Sequence, residues 1–302
     1  MKYVILFLGL FLAGCSSKES TEKPKIAVVI STLNNPWFVV LGESAVQQAE
    51  KLGYEAKLFD SQNNPAVESD HFENLISSGF DAILFNPTDA DGSIANILKA
   101  KEAGIPVFCM DREVNSNDAA TSQILSDNYT GCVAIGVEFV KQLHGKGNYV
   151  EILGLAGDNN TYARSNGFHT VVDKFKDLKL LGQQNGDFDR NKAMEVMESM
   201  MQANPSIQGV FCGNDAMALG AFQAIQSAGK SDQIKVFGFD GADEVVQKIK
   251  EGKMVATGMQ YPKIMAKTAA AFAVEYFKGR KKFPQHIPVG VNLVNAKTAK
   301  HF

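Results

Sequence analysis

The sequence is poor in the residues and charges that mark several large protein classes. Four of its 302 residues are cysteine and nine are proline, which excludes a disulfide-dense scaffold and a collagen-like chain. Lys and Arg number 30 against 33 Asp and Glu, a formal net charge of −3, so the chain lacks the basic balance typical of nucleic-acid-binding proteins. No apolar run reaches the roughly 20 residues of a membrane-spanning helix. With 45% hydrophobic residues, the composition predicts a globular protein of about two domains.

Cysteine and histidine form no recognisable metal or redox pattern. Cys109, Cys132 and Cys212 lack CxxC spacing, and Cys109 and Cys212 lie in apolar runs, so we predict buried free thiols, with a disulfide or a reactive thiol as the alternative. The five His residues are scattered without an HExxH motif, so we predict no metal site and no cofactor. The chain also has no GxSxG, Walker A or GxGxxG motif, which argues against the enzyme classes that depend on them.

The first 24 residues have the pattern of an export signal followed by a tether. A lysine at position 2 precedes an apolar run of about eleven residues, which is too short to span a bilayer but fits a secretory signal. The segment Leu12–Cys15 resembles the bacterial lipoprotein signal, which is cleaved before its Cys. We predict a signal peptide over 1–14, a lipidated Cys15 with a polar tether over 15–24, and a periplasmic or extracytoplasmic protein anchored by lipid alone. An ordinary signal peptide with a chance Cys is the alternative.

Strand and helix patterns alternate along the rest of the chain. Short apolar runs are each followed by a helical pattern that commonly ends at Gly, which predicts parallel βαβ units whose sheet is covered on both faces. In one helix Ala193, Val196, Met197 and Met200 share a face, which predicts core packing. The predicted strands are 25–31, 54–60, 81–86, 105–111, 149–155 and 178–185; the predicted helices are 38–52, 67–78, 92–103, one from about Arg164, and 192–202.

The two halves of the chain repeat one pattern. In the first half, Asn86 ends a strand, and a helix then leads to a second strand that ends at Asp111. In the second half, Asn214 and Asp240 end two such strands at nearly the same separation. An internal repeat of this kind predicts two similar α/β lobes with a ligand between them.

Polar and aromatic residues recur where the predicted strands end, which is where open α/β sheets bind ligands. Carboxylates accept hydrogen bonds, guanidinium groups donate them and amides do both, so the mixture suits a polyhydroxylated ligand. Aromatic rings can cover the C–H faces of a sugar. The negative charges of two Asp and the positive charges of two Arg cancel, which favours an uncharged ligand. The candidates are Asn35, Trp37, Phe38, Asn86, Asp111, Arg112, Arg164 (in a loop entering a helix), Phe188, Asn214, Asp240 and Gln260.

Taken singly, several candidates have plainer explanations. Asn35 suits a turn, Asp111 with Arg112 suits a surface ion pair, Asp240 suits a turn or helix cap, and Phe188 suits a core. Their recurrence at equivalent strand ends of both halves favours a binding site.

At these residues the chain resembles the periplasmic ribose-binding protein family, the pentose- and hexose-binding receptors of bacterial ABC importers. The resemblance extends from Lys25 onward and implies that the same eleven candidates contact ribose. It also implies a periplasmic binding protein type I fold, in which two similar doubly wound parallel-sheet lobes are joined by a three-strand hinge. The expected N-terminal lobe is 25–126 plus 261–288, and the expected C-terminal lobe is 127–260 plus 289–302. The resemblance is carried by 31–38, 86–89, 110–112, 186–190, 213–220 and 238–241.

The resemblance implies a monomeric solute-binding protein that closes on a neutral monosaccharide and delivers it to the permease and ATPase of an ABC importer. D-ribose or a related pentose is the expected ligand. Trp37 departs from the ribose pattern, which has Phe there, so a branched pentose, a pentitol or a hexose stays open. A periplasmic sensor for a chemoreceptor or kinase also stays open. A repressor would need a DNA-binding motif where the export signal stands, and an enzyme would have to use Asp111 and Asp240 as paired carboxylates.

Overall fold

Two six-stranded sheets, each flanked by helices, form two lobes in the computed structural model, which describes residues 23–302. The predicted signal peptide and Cys15 lie outside the described residues. The strands are β1 Lys25–Ile30, β2 Glu55–Asp60, β3 Ala82–Phe85, β4 Val107–Met110, β5 Ser122–Ser126, β6 Lys146–Leu153, β7 Asp177–Asn185, β8 Ile207–Cys212, β9 Lys235–Phe237, β10 Ala256–Met259, β11 His286–Val289 and β12 Asn292–Asn295. The helices are α1 Pro36–Lys51, α2 Pro65–Ser77, α3 Ile94–Glu102, α4 Asn128–Gln142, α5 Asn159–Val172, α6 Arg190–Ala203, α7 Asp215–Ser227, α8 Asp243–Lys250 and α9 Pro262–Phe277.

The sheet of the first lobe has the order β11-β5-β4-β3-β1-β2, and that of the second lobe has the order β12-β10-β9-β8-β6-β7. This arrangement confirms the predicted fold class of two similar doubly wound lobes. The chain passes between the lobes after β5, after β10 and after β11, because α4 packs on α5 of the second lobe and α9 packs on α1 of the first. The lobe boundaries given above remain predictions.

One strand departs from the predicted parallel sheets. β11 pairs with β5 in parallel, whereas β12 pairs with β10 antiparallel. The physical reason is the link between them: β11 runs toward the interface of the lobes, and only Gly290 and Val291 separate it from β12. The chain therefore enters the second sheet from the end at which its parallel strands finish.

Alternation along β1 shows why its residues form a doubly covered strand. Ile26, Val28 and Ile30 pack in the cluster that includes α1 and α9, while Ala27 and Val29 pack toward α2 and α3. Every one of these side chains is buried, as parallel sheets with helices on both faces require.

Two sequence predictions about the core are confirmed. Met197 and Met200 lie in the core of the second lobe together with Ala193, and Val196 packs against it. Cys109, Cys132 and Cys212 are free thiols in buried positions. Among residues 23–302 no helix is long and apolar enough to cross a membrane.

The helix predicted from about Arg164 begins earlier, at Asn159. Its N-cap is Asp158, whose carboxylate accepts a hydrogen bond from the backbone N–H of Asn160 at 2.9 Å. A carboxylate in this position satisfies an otherwise free N–H of the first helical turn. The prediction that Arg164 lies in the loop entering the helix is therefore wrong, since Arg164 lies within α5.

Candidate functional site

A small cavity lies between the lobes, where strands of both sheets end. Both lobes contribute to its wall. The lining residues are Asn35, Trp37, Phe38, Asp111, Asp158, Asn160, Arg164, Phe188, Asn214, Asp240 and Gln260.

Nine of the eleven sequence candidates line this cavity. Asn86 and Arg112 do not, although both lie close to it. Asp158 and Asn160 also line the cavity and are not among the sequence candidates; they lie where β6 leads into α5. The rule that open α/β sheets bind ligands at the carboxyl ends of their strands could have identified both residues, since they follow β6, which ends at the cleft.

Three aromatic side chains form apolar parts of the wall. The Trp37 and Phe38 rings meet edge to face, with centroids 5.5 Å apart, and the helix start at Asn35 fixes their backbone through a 3.0 Å bond from Trp37 N–H to Asn35 Oδ1. Phe188 has a left-handed φ of 59°. Its ring lies against Gly154, where an added Cβ would come within 2.0 Å of the ring, so only glycine leaves room for Phe188.

Arg164 is held rigidly in the second lobe. Its Nε donates to Asn128 Oδ1 at 2.8 Å, and its Nη1 donates to the backbone oxygen of Gly213 at 2.9 Å. The guanidinium lies 4.3 Å from the centroid of the Phe239 ring and pairs with Asp240 Oδ1 at 3.8 Å. A guanidinium fixed in this way presents its charge without losing rotamer freedom when a ligand binds.

Asp111 and Asp240 occupy equivalent places in the two halves and share one electrostatic property. Burial raises the pKa of Asp111 to about 7, and burial likewise raises the pKa of Asp240 to about 7, with Arg164 opposing the shift in both. Asp111 has a left-handed φ of 66°, a conformation that Asp tolerates better than most residues. Gln260 donates from Nε2 to Asp240 Oδ1 at 2.7 Å, which orients both side chains.

Three buried polar atoms at the cavity have no hydrogen-bond partner among the described residues. They are Trp37 Nε1, Asp111 Oδ1 and Gln260 Oε1. Buried polar groups in native proteins are nearly always paired, so each of these atoms calls for an explanation. One is a donor and two are acceptors, a combination that hydroxyl groups of a ligand can satisfy.

Asn86 lies beneath the cavity and is fully buried. Its Oδ1 accepts from the Ser31 hydroxyl at 2.6 Å, and its Nδ2 donates to the backbone oxygen of Met110 at 3.0 Å. These bonds join the ends of β1, β3 and β4. The structure therefore gives Asn86 a role in holding the strand ends that carry the site.

Arg112 reaches from the first lobe to the second. Its Nε forms an ion pair with Asp158 Oδ2 at 2.6 Å, and its Nη1 donates to the backbone oxygen of Pro87 at 3.2 Å. The guanidinium lies 4.9 Å from the centroid of the Phe38 ring. Arg112 thus stands behind the aromatic wall and fixes Asp158, which does line the cavity.

Further direct bonds join the lobes around the cleft. The backbone N–H of Ala90 donates to the Gly157 oxygen at 2.9 Å, and Asn159 Nδ2 donates to Glu113 Oε1 at 2.8 Å and to Asn115 Oδ1 at 2.7 Å. The loop before α5 and the first turn of α5 therefore both contact the first lobe.

The comparisons with known proteins agree with this geometry. A family model described as a periplasmic binding protein domain matches residues 26–281. The chain is 39% identical over 294 residues to the ribose import binding protein of Salmonella typhimurium, covering 97% of this chain and 98% of that one. It is 36% identical over 275 residues to the D-apiose import binding protein of Paraburkholderia graminis, covering 91% and 88%. The solved structure of an ABC transporter solute-binding protein from Bacillus halodurans with bound myo-inositol superposes with a TM-score of 0.88 at 26% identity, covering 94% and 98%.

Proposed function

Because the chain belongs to the periplasmic binding protein family, we propose that it is an extracytoplasmic solute-binding protein that captures a neutral monosaccharide in the cleft. It delivers the sugar to the permease of an ABC importer, whose ATPase drives uptake. Relatives described as import binding proteins for ribose and for D-apiose cover nearly the whole chain, and this supports the transport role.

One observation indicates that the ligand is a sugar: the cavity combines aromatic walls with unpartnered buried donors and acceptors. Trp37 Nε1, Asp111 Oδ1 and Gln260 Oε1 need hydrogen-bond partners, and a sugar hydroxyl both donates and accepts. The rings of Phe38 and Phe188 provide flat apolar surfaces for the C–H groups of the same molecule.

The charges at the cleft favour a neutral sugar over a phosphate or a sugar acid. Arg112 is paired with Asp158, and Arg164 with Asp240, so both guanidinium charges are already compensated. Asp111 adds a third carboxylate to the wall. An anionic ligand would therefore find no uncompensated positive charge in this poorly solvated site, and above pH 7, where Asp111 is ionised, it would meet an excess of negative charge.

D-ribose or a related pentose is the ligand that we propose first. The relatives described as ribose import binding proteins support this choice. A branched pentose, a pentitol or a hexose is the alternative at the same site. A D-apiose import binding protein and a solved structure with bound D-allose, a branched pentose and a hexose, are among the similar proteins.

Capture proceeds by closure of the two lobes about the strands that connect them. The half-site of the first lobe includes Asn35 and Asp111, and that of the second includes Arg164, Asn214 and Asp240. A sugar that contacts both halves stabilises the closed arrangement by its differential affinity. We assign no catalytic residue, and we expect the sugar to be recovered unchanged after incubation with the protein.

A lipid anchor on Cys15 and a monomeric state complete the proposal. The sequence Leu12–Cys15 supports the anchor, which would keep the binding protein at the membrane that holds the permease or at the facing one. We expect Cys15→Ser to move the protein from the membrane fraction to the soluble fraction of expressing cells. Retention of this variant in the membrane fraction would contradict the anchor.

A thermal-shift screen tests the proposed function. The chain from Ser16 onward is heated with pentoses, hexoses, pentitols and their phosphates, since a ligand that binds only the folded state raises the apparent melting temperature. We expect a large shift with one neutral monosaccharide and none with the phosphates. No shift with any neutral sugar would overturn the proposal.

A further inference from the structure

The indole N–H of Trp37 is the one donor among the three unpartnered polar atoms that the cavity wall contains within residues 23–302. The side chain borders the cavity and is 9% exposed, and its Nε1 is buried without an acceptor among residues 23–302. Burying a donor without a partner costs about 1–3 kcal/mol. A protein keeps such a group where something else supplies the acceptor.

The surroundings of Trp37 hold the ring in place without using this N–H. Its backbone is fixed by the helix cap at Asn35, and its ring meets the edge of Phe38 at an interplanar angle of 82°. The nearest aromatic partner offers no acceptor oxygen. Stacking on a sugar would be served equally well by a phenylalanine, which carries no N–H to satisfy.

We propose that Trp37 Nε1 donates a hydrogen bond to an oxygen of the bound sugar, so that Trp37 determines specificity as well as providing an apolar surface. This inference rests on the proposed function and narrows its ligand: the cognate sugar carries an oxygen at the edge of the indole. A sugar with hydrogen at that place, or with the opposite configuration, leaves the donor unpaired. Such a mismatch discriminates against the wrong sugar by about tenfold.

The sequence makes a direct test possible, because Trp37 is the single tryptophan of the chain. Incorporation of β-(3-benzothienyl)alanine in a tryptophan auxotroph replaces the indole N–H by sulfur at this one position and nearly preserves the shape. The affinity for the sugar that gives the largest thermal shift is then measured by calorimetry. We expect it to fall about fivefold to tenfold.

A matched control separates the hydrogen bond from the shape of the ring. Incorporation of 4-fluorotryptophan keeps the N–H, and we expect the affinity to stay within about twofold. Equal affinities for the sulfur analogue and the natural protein would overturn the inference, since the N–H would then have no role in binding.

The natural protein provides a second measurement that needs no altered side chain. With ¹⁵N in the indole ring, the chain gives one Nε1–H resonance, and we expect it to move downfield and to exchange more slowly with solvent when the sugar is added. A resonance that does not respond to a sugar that demonstrably binds would overturn this inference and leave the proposed function intact. If no sugar binds at all, both fail together.

Discussion

Arg112 and Asp158 form an ion pair that joins the two lobes, with Nε and Oδ2 2.6 Å apart and both side chains at most 3% exposed. A charge buried in this way is costly unless its partner is present. The pair exists only when the lobes are close together, because Arg112 follows β4 of the first sheet and Asp158 precedes α5 of the second lobe. Closure of the cleft and pairing of these charges are therefore one event.

We expect Asp158→Asn to lower sugar affinity by at least about tenfold, because closure would then bury the Arg112 charge without its counter-charge. The amide retains an oxygen that can cap α5, so the melting temperature without sugar should change little. Calorimetry measures the affinity. The control is Glu113→Gln, a half-exposed partner of Asn159 across the same cleft, which should change affinity by less than about threefold. Equal effects of the two substitutions would contradict this role of Asp158.

Removal of Asp111 or Arg112 is expected to abolish sugar binding while the protein stays folded. Asp111→Ala removes an acceptor from the cavity wall, and Arg112→Ala frees Asp158 from its position. The measurement is the sugar-induced rise in melting temperature, with circular dichroism to verify folding. An unchanged rise in both variants would contradict the assigned site.

Asn86 is expected to act mainly on stability. Asn86→Ala removes the bonds to Ser31 and Met110 and leaves two buried groups unpaired, so the free energy of unfolding should fall by about 2 kcal/mol. Urea unfolding without sugar measures this. Asn34→Ala, at an exposed position before α1, is the matched control and should cost less than about 0.5 kcal/mol. If Asn86→Ala changed affinity without changing stability, Asn86 would be a direct contact.

Trp37→Phe is expected to shift the sugar ranking toward ribose relative to other pentoses, since it restores the residue type of the ribose pattern and removes the unpaired N–H. The ranking is measured by calorimetry with a panel of pentoses. An unaltered ranking would show that Trp37 does not determine which sugar binds.

His169 makes the stability of the fold depend on pH, and its two carboxylate partners determine the direction of that dependence. Its hydrogen bond to Glu151 at 2.9 Å, assisted by Asp173 at 2.8 Å, raises its pKa to about 9. Because the folded-state pKa lies above the unfolded value of about 6.5, the stabilisation is complete below pH 6.5 and is lost as the pH rises through 9.

We therefore expect His169→Gln to lower the free energy of unfolding by about 1–3 kcal/mol at pH 6, with the difference shrinking toward pH 9.5. Urea unfolding at three pH values measures it. His301→Gln, at the exposed end of the chain, is the control. If the loss of unfolding free energy in His169→Gln were the same at pH 6 and at pH 9.5, the pairing of protonated His169 with Glu151 would be contradicted.

The sequence determined much of the fold because its signals are local. Apolar runs such as 26–30 and glycines after helices specify the order of strands and helices. That order, with right-handed parallel units, brings strand ends together at one edge of each sheet. Nine of the eleven candidate residues line the cavity for this reason, even though the sequence places them far apart along the chain.

Only the tertiary structure decided how the two lobes meet. The pairing of Arg112 with Asp158, the place of Asp158 and Asn160 in the wall, and the buried position of Asn86 beneath it depend on the approach of one lobe to the other and on the packing of strand ends. These contacts join segments that are far apart in the sequence, and no local sequence pattern predicts which segments will meet. Residue types that suit a turn, a cap or an ion pair become parts of a binding site only when closure removes water and leaves their hydrogen bonds to be completed by a ligand.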